Sequence, residues 1–135
     1  MVKIKIKAII EIAGFPKEHI EGAMDKVINK LKQDFEVVDN KIYEAVELKD
    51  KMDGFWSTFC EVDVNFDKIE GLIGFCFEFM PSSLEVLSPE EMMFTNINLA
   101  NILNDLLGRL HHYDMLVKNL NASNVLLKKK LGETT

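Results

Sequence analysis

The chain of 135 residues holds no long apolar run. Lys3, Lys5, Lys7 and Glu11 interrupt its hydrophobic start, and no later stretch reaches the ~20 residues needed to span a bilayer. No membrane partner is expected on that ground. The start alternates too strictly for a signal peptide and has no small-residue cleavage site, so a cytoplasmic location is expected. Cysteine is scarce: Cys60 and Cys76 form no C-x-x-C pair and sit in apolar stretches, which fits buried thiols better than a disulfide. An excess of positive charge is also missing. The formal net charge of −6 disfavours general attraction to phosphate backbones, so a nucleic-acid partner is disfavoured. Phosphate-binding loops, G-x-G-x-x-G runs, nucleophile elbows and paired-histidine helices are all absent. Ser57, Ser82, Ser83, Ser88 and Ser123 have no adjacent base. The sequence supports no enzyme activity, no cofactor and no metal.

What is there is hydrophobic patterning: 47% of residues are hydrophobic and 28% charged, the balance of an ordinary folded domain. From Val2 to Ala13, Ile4, Ile6, Ala8, Ile10 and Ile12 alternate with lysines and Glu11, which predicts a half-buried strand. Gly14 ends it. Pro16 and Glu18 suit a helix start, and Ile20, Met24 (or Ala23), Val27, Ile28 and Leu31 give the helix its apolar face up to about Gln33. Phe35 to Leu48 reads as a long strand whose phase slips near Asp39-Asn40, predicting a bulge or a tight hairpin there. Lys49 to Gly54 turns the chain. Phe55 to Phe66 alternates again, with Trp56, Cys60, Val62, Val64 and Phe66 on one face. Asp67 is a fitting N-cap for a helix through Phe79. That helix is apolar around most of its circumference, so deep burial is expected. Pro81 breaks it, and Leu84 to Leu87 forms a short strand.

Strand, helix, strand, strand, helix, strand is the ferredoxin-like βαββαβ order, an α+β fold with two helices on one sheet face. In that topology the first and third strands are antiparallel neighbours at the centre. Their outward faces bring Lys3, Lys5 and Lys7 near Glu61 and Asp63, pairs that stabilise by roughly a few tenths of a kcal/mol each. The expected division is an α+β domain over 1–95, a helix over 96–131 and a disordered tail over 132–135.

The last third carries a heptad seam. Leu103, Leu110, Val117, Asn124 and Leu131 fall at a positions, and Leu99, Leu106, Tyr113, Leu120 and Leu127 at d positions. Leucine at d with a single asparagine at a favours a parallel two-stranded coil in register, and the a/d placement puts Arg109 at g and Asp114 at the following e. Arg109 of one chain then reaches Asp114 of the other. Leu107, Leu116 and Leu126 lie outside the seam, so the apolar face is broader than a simple zipper, and a higher homo-oligomer stays open. The helix starts near Asn96 or, in the competing reading, at Pro89, where Ser88-Pro89-Glu90-Glu91 mimics a capping box. Gly108 weakens the helix and suggests close packing.

Other candidates have plainer readings. His111 and Asp114 share a helix face but lack the further ligands zinc needs. Phe55 and Phe59 are placed like the base-stacking aromatics of RNA-recognition strands, yet their spacing departs from that signature and Glu61 and Asp63 repel phosphate. Lys128, Lys129 and Lys130 complement the helix dipole. Asn121-Ala122-Ser123 is a chance match to a glycosylation acceptor.

From Glu61 to Glu91, the run EVDVNFDKIEGLIGFCFEFMPSSLEVLSPEE resembles the ferredoxin-like C-terminal extension of WYL-domain transcriptional regulators. In both, a strand leads to an Asp-started helix and then a short strand followed by proline. The likeness covers under a quarter of the chain and implies a regulatory or oligomerising module. The expected roles are therefore an assembly module with an unidentified protein partner, a small-molecule-sensing domain with a site between paired heads, and, third, an RNA- or ribosome-associated factor.

Overall fold

The computed structural model describes residues 3–50 and 54–132. Residues 51–53 of the expected turn, and all of the expected tail but Gly132, lie outside the described residues. The chain divides into two compact units, Met1–Met92 and Met93–Thr135.

The first unit is built of β1 (Ile4–Gly14), α1 (Lys17–Asp34), β2 (Glu36–Ile42), β3 (Val46–Glu47), β4 (Trp56–Phe66), α2 (Ile69–Phe79) and β5 (Ser83–Ser88). The sheet runs β2-β4-β1-β5, with β3 also paired to β4. All pairings are antiparallel. This is an α+β sheet in a ferredoxin-like arrangement, with β1 and β4 at its centre as the βαββαβ order predicted. Their register places Lys7 opposite Asp63 and Ile9 opposite Glu61.

The expected long strand from Phe35 is split. A register shift between Val37 and Asp39 is the bulge that the phase slip foretold. A second interruption separates β2 from β3. There Tyr43 N–H donates to the Phe59 carbonyl at 2.9 Å. The buried Thr58 hydroxyl donates to the Tyr43 carbonyl at 2.9 Å, so the broken ladder stays satisfied. At the opposite edge, the Ser82 backbone N–H and hydroxyl both donate to the Ile9 carbonyl and fix the entry of β5.

One sheet face supplies Ile4, Ile6, Ala8, Ile10, Cys60, Val62, Val64 and Phe66 to the core, and the helices supply Met24, Ile28, Leu31, Leu72 and Phe75. Met24, not Ala23, is the inward residue of α1. An aromatic knot closes one end. Phe35 meets Phe66, Phe75 and Phe79 edge-on at 5.5–6.0 Å between ring centres, the geometry in which each ring's positive edge meets a negative face.

Two expectations for α2 are corrected. Lys68, not Asp67, is its N-cap, and no side chain bonds there. Deep burial also fails: only Leu72 and Phe75 are buried, while Ile73 and Phe77 are half-buried. An 11-residue helix laid on a sheet turns one stripe inward, however apolar the rest of its circumference is.

The second unit is α3 (Asn96–Lys130). It starts at Asn96, not Pro89, because Thr95 is its N-cap and accepts a hydrogen bond from the Asn98 N–H at 3.1 Å.

Candidate functional site

The candidate site is the apolar seam of α3. The 35 residues of this helix span about 52 Å at roughly 1.5 Å per residue. Leu99, Leu103, Leu106, Leu110, Tyr113, Val117, Leu120, Asn124 and Leu127 all lie within it, and Leu131 caps its C-terminus in helical geometry. Every seam residue except the half-buried Leu106 is exposed, with Leu120 at 69% and Leu131 at 77%. A single turn of exposed leucine is unremarkable. A stripe sustained through ten seam positions is not, because apolar area of that extent on one helix gains roughly 25 cal/mol for each Å² withdrawn from water.

The seam also winds. Seven residues fall short of two full helical turns by about 20°, so a strict heptad repeat drifts around a straight helix. A second helix follows such a stripe by left-handed supercoiling, which is how an a/d seam is buried.

Charges beside the seam pair within the helix. Arg109 Nε lies 3.2 Å from Asp105 Oδ2, and Lys118 Nζ lies 2.8 Å from Asp114 Oδ2. Arg109 and Asp114, assigned to each other across two chains, thus each have a partner one turn away in their own chain. Exposed pairs of this kind are worth about 0.3–0.5 kcal/mol, little enough for partners to exchange. A Cβ added at Gly108 meets nothing within 4 Å. No close packing explains this glycine in the single chain, and it falls at an f position, away from the seam.

The remaining candidates are scattered. His111 and His112 are exposed on α3, and the described residues hold no group of three side chains suited to a metal. Phe55 packs on Phe15 at 6.2 Å and Phe59 stacks on Tyr43 at 4.6 Å, so the two aromatics are engaged with different neighbours. Cys60 and Cys76 are thiols whose pKa values burial pushes up. No helix among the described residues is long and apolar enough to cross a membrane.

The sheet face opposite the core carries a polar network that the sequence did not reveal in full. Lys7 Nζ lies 3.1 Å from Glu61 and 3.8 Å from Asp63. The Tyr43 hydroxyl donates to Glu61 at 3.2 Å, and Lys41 sits 4.7 Å from the Tyr43 ring centre. Lys3 instead turns to Glu36 at 2.7 Å, a correction to the expectation that all three lysines meet β4. Tyr43 was missed because its role depends on the interruption between β2 and β3, which no periodicity marks. A recess of about 140 Å³ on this face is lined by Lys7, Asp39, Asn40, Lys41, Glu61 and Asp63.

Comparison with known proteins gives a family without an assigned chemistry. A protein from Methanocaldococcus jannaschii, recorded as uncharacterized protein MJ0538, is 32% identical over 109 residues, which are 78% of this chain and 38% of that protein. The chain therefore spans well under half the length of the curated relative it matches. No solved structure matches it significantly. The MJ0538 family model matches residues 5–134, taking in both the sheet unit and α3, and the chain belongs to that family.

Proposed function

We propose that this chain is a non-enzymatic assembly module in which α3 pairs with α3 of a second copy and so tethers two ferredoxin-like heads. The exposed ten-position seam carries this reading. Two orientations compete. With full antiparallel overlap, Asn124 of each chain faces Leu106 of the other and buries an unsatisfied amide, at about 1–3 kcal/mol apiece. In parallel register the two Asn124 amides face and bond each other. Parallel pairing instead brings the two Lys128-Lys129-Lys130 runs together, an exposed repulsion of a few tenths of a kcal/mol per contact. The amide term is larger, and the parallel dimer is preferred. Arg109 and Asp114 then sit across the interface as g and e partners.

Sedimentation equilibrium of the full chain tests this. A dimer is expected, and Leu120→Asp with Leu127→Asp should give a folded monomer, because both leucines are exposed in the single chain. A wild-type monomer at all concentrations sinks the reading.

A second reading, a small-molecule sensor, draws on the recess around Lys7, Asp39, Lys41 and Glu61, where groups of both signs converge. The regulatory role implied by the WYL-extension resemblance agrees with it. A metabolite-dependent rise in melting temperature that Lys41→Ala removes would favour this reading.

A further inference from the structure

Charge is divided unevenly along the chain. Of its 22 carboxylates only Asp105, Asp114 and Glu133 lie beyond Met92. From Met115 to Gly132 there are four lysines and no carboxylate. Upstream, helix cations meet acids one turn away: Lys30 with Asp34, Arg109 with Asp105, Lys118 with Asp114. Lys128, Lys129 and Lys130 are exposed and follow Asn124-Val125-Leu126, which offers them no carboxylate one turn back; one turn ahead the sequence has the single carboxylate Glu133 for the three of them. The helix dipole accounts for cations at a C-terminus. It does not account for the side chains beside them. Met115, Lys118, Ala122, Val125, Leu126 and Lys129 recur at helical spacing on b, c and f positions, the face opposite the seam. Met115 and Leu126 are each 60% exposed and Val125 43%. The outer face of a coiled coil is ordinarily polar, and a seam partner leaves this stripe uncovered.

We propose that the distal part of α3, Met115 to Gly132, lies on an anionic lipid surface, with its lysines among the headgroups and Leu126 and Val125 at the acyl boundary. Exposed apolar side chains on b, c and f, with Lys129 among them and Lys128 and Lys130 flanking at e and g, are what such a surface selects. A nucleic-acid duplex fits less well. Its phosphates gain nothing from Leu126, and no aromatic side chain follows Tyr113 to stack on bases. The lack of a spanning run bears on crossing a bilayer, whereas a helix lying in the headgroup plane needs none. A seam partner leaves this face free, and the same face of the partner helix points the opposite way, so one helix at a time meets the surface and only the choice of face rests on the proposed coil.

The test is flotation of the full chain with phosphatidylglycerol vesicles and, separately, with phosphatidylcholine vesicles. Binding to the first only, reversed by high salt, is expected. Replacing Lys128, Lys129 and Lys130 by Gln should weaken it by roughly tenfold or more. The exposed change Leu126→Ser should weaken it at unchanged charge. Absence of binding, equal binding to both lipids, indifference to the lysine change, or displacement by duplex DNA would each overturn the proposal. Sedimentation of the same sample without lipid separates the two ideas. A dimer that ignores vesicles sinks only the lipid surface, and a monomer that binds them sinks only the coil.

Discussion

Thr95 Oγ1 accepts the Asn98 backbone N–H at 3.1 Å, and that bond sets where the long helix begins. The first turn of any helix has N–H groups without intrahelical partners, and a threonine just outside it satisfies one of them. The rival start at Pro89 offered a proline and two glutamates, but Thr95 intervenes in extended geometry, at ψ 159°. Thr95→Ala should therefore cost about 1 kcal/mol of helix stability. Amide exchange at Ile97 to Leu99 should quicken, with little change in β1 or β4. Unchanged exchange there would show that the cap does not hold the helix start.

Met80 closes α2 in left-handed geometry, with φ 44° and ψ 59°, and its N–H donates to the Cys76 carbonyl at 3.0 Å. Glycine is the usual residue at such a position because a Cβ crowds the backbone there, at a cost of roughly 1 kcal/mol. The Met80 side chain is 64% exposed, so little packing is lost with it. Met80→Gly should raise the urea midpoint despite removing a large side chain. A fall of the midpoint would mean that the methionine has a partner worth more than the strain.

The Lys7 ammonium, with help from the Tyr43 hydroxyl, holds the Glu61 carboxyl below its ordinary value of 4.5. A carboxylate depressed in the folded state contributes stability that is fully present above its unfolded value and is lost as pH falls through the folded one. Glu61→Gln should thus be less stable than wild type near neutrality. The gap should narrow as pH falls through about 4.5, the value at which the unfolded carboxyl is half protonated, and close further through the lower folded value. Urea melts of both proteins through the acid range check this, and a pH-independent gap counts against it. The group is exposed, so high salt should shrink the effect.

Asn124 should set strand number and register if α3 pairs as proposed. Asn124→Leu removes a buried polar pair from the seam, so the assembly should become more stable to heat while losing its single stoichiometry. Sedimentation velocity should then resolve species larger than a dimer. A variant that stays strictly dimeric would place the specificity elsewhere, at Tyr113 or the Arg109–Asp114 pair.

Much of this molecule is written in local pattern. The alternation of Ile4, Ile6, Ala8 and Ile10, and of Cys60, Val62, Val64 and Phe66, identifies two strands, because a pleated chain turns successive side chains to opposite faces. The leucines from Leu99 to Leu127 identify a long helix by the same kind of argument. The phase slip near Asp39 even marks the bulge. Other features depend on residues far apart in the chain. The stripe of α2 that reaches the core, the pairing of Lys3 with Glu36 and the joining of Tyr43 to Glu61 follow from which strands and helices the fold makes neighbours and from where β2 breaks. Periodicity carries no record of either.

The sequence alone determined the inward faces of β1 and β4, the helical spacing of α1 and the ten a/d positions along α3, since each follows from spacing along a single strand or helix. Only the tertiary structure decided that α2 buries a narrow stripe instead of its whole apolar surface. It also fixed the start of α3 at Asn96, behind the Thr95 cap, and drew Lys7, Tyr43 and Glu61 into one network. These outcomes are set by competition among neighbours for limited contact area and for hydrogen-bond partners, which come together only when the chain has folded.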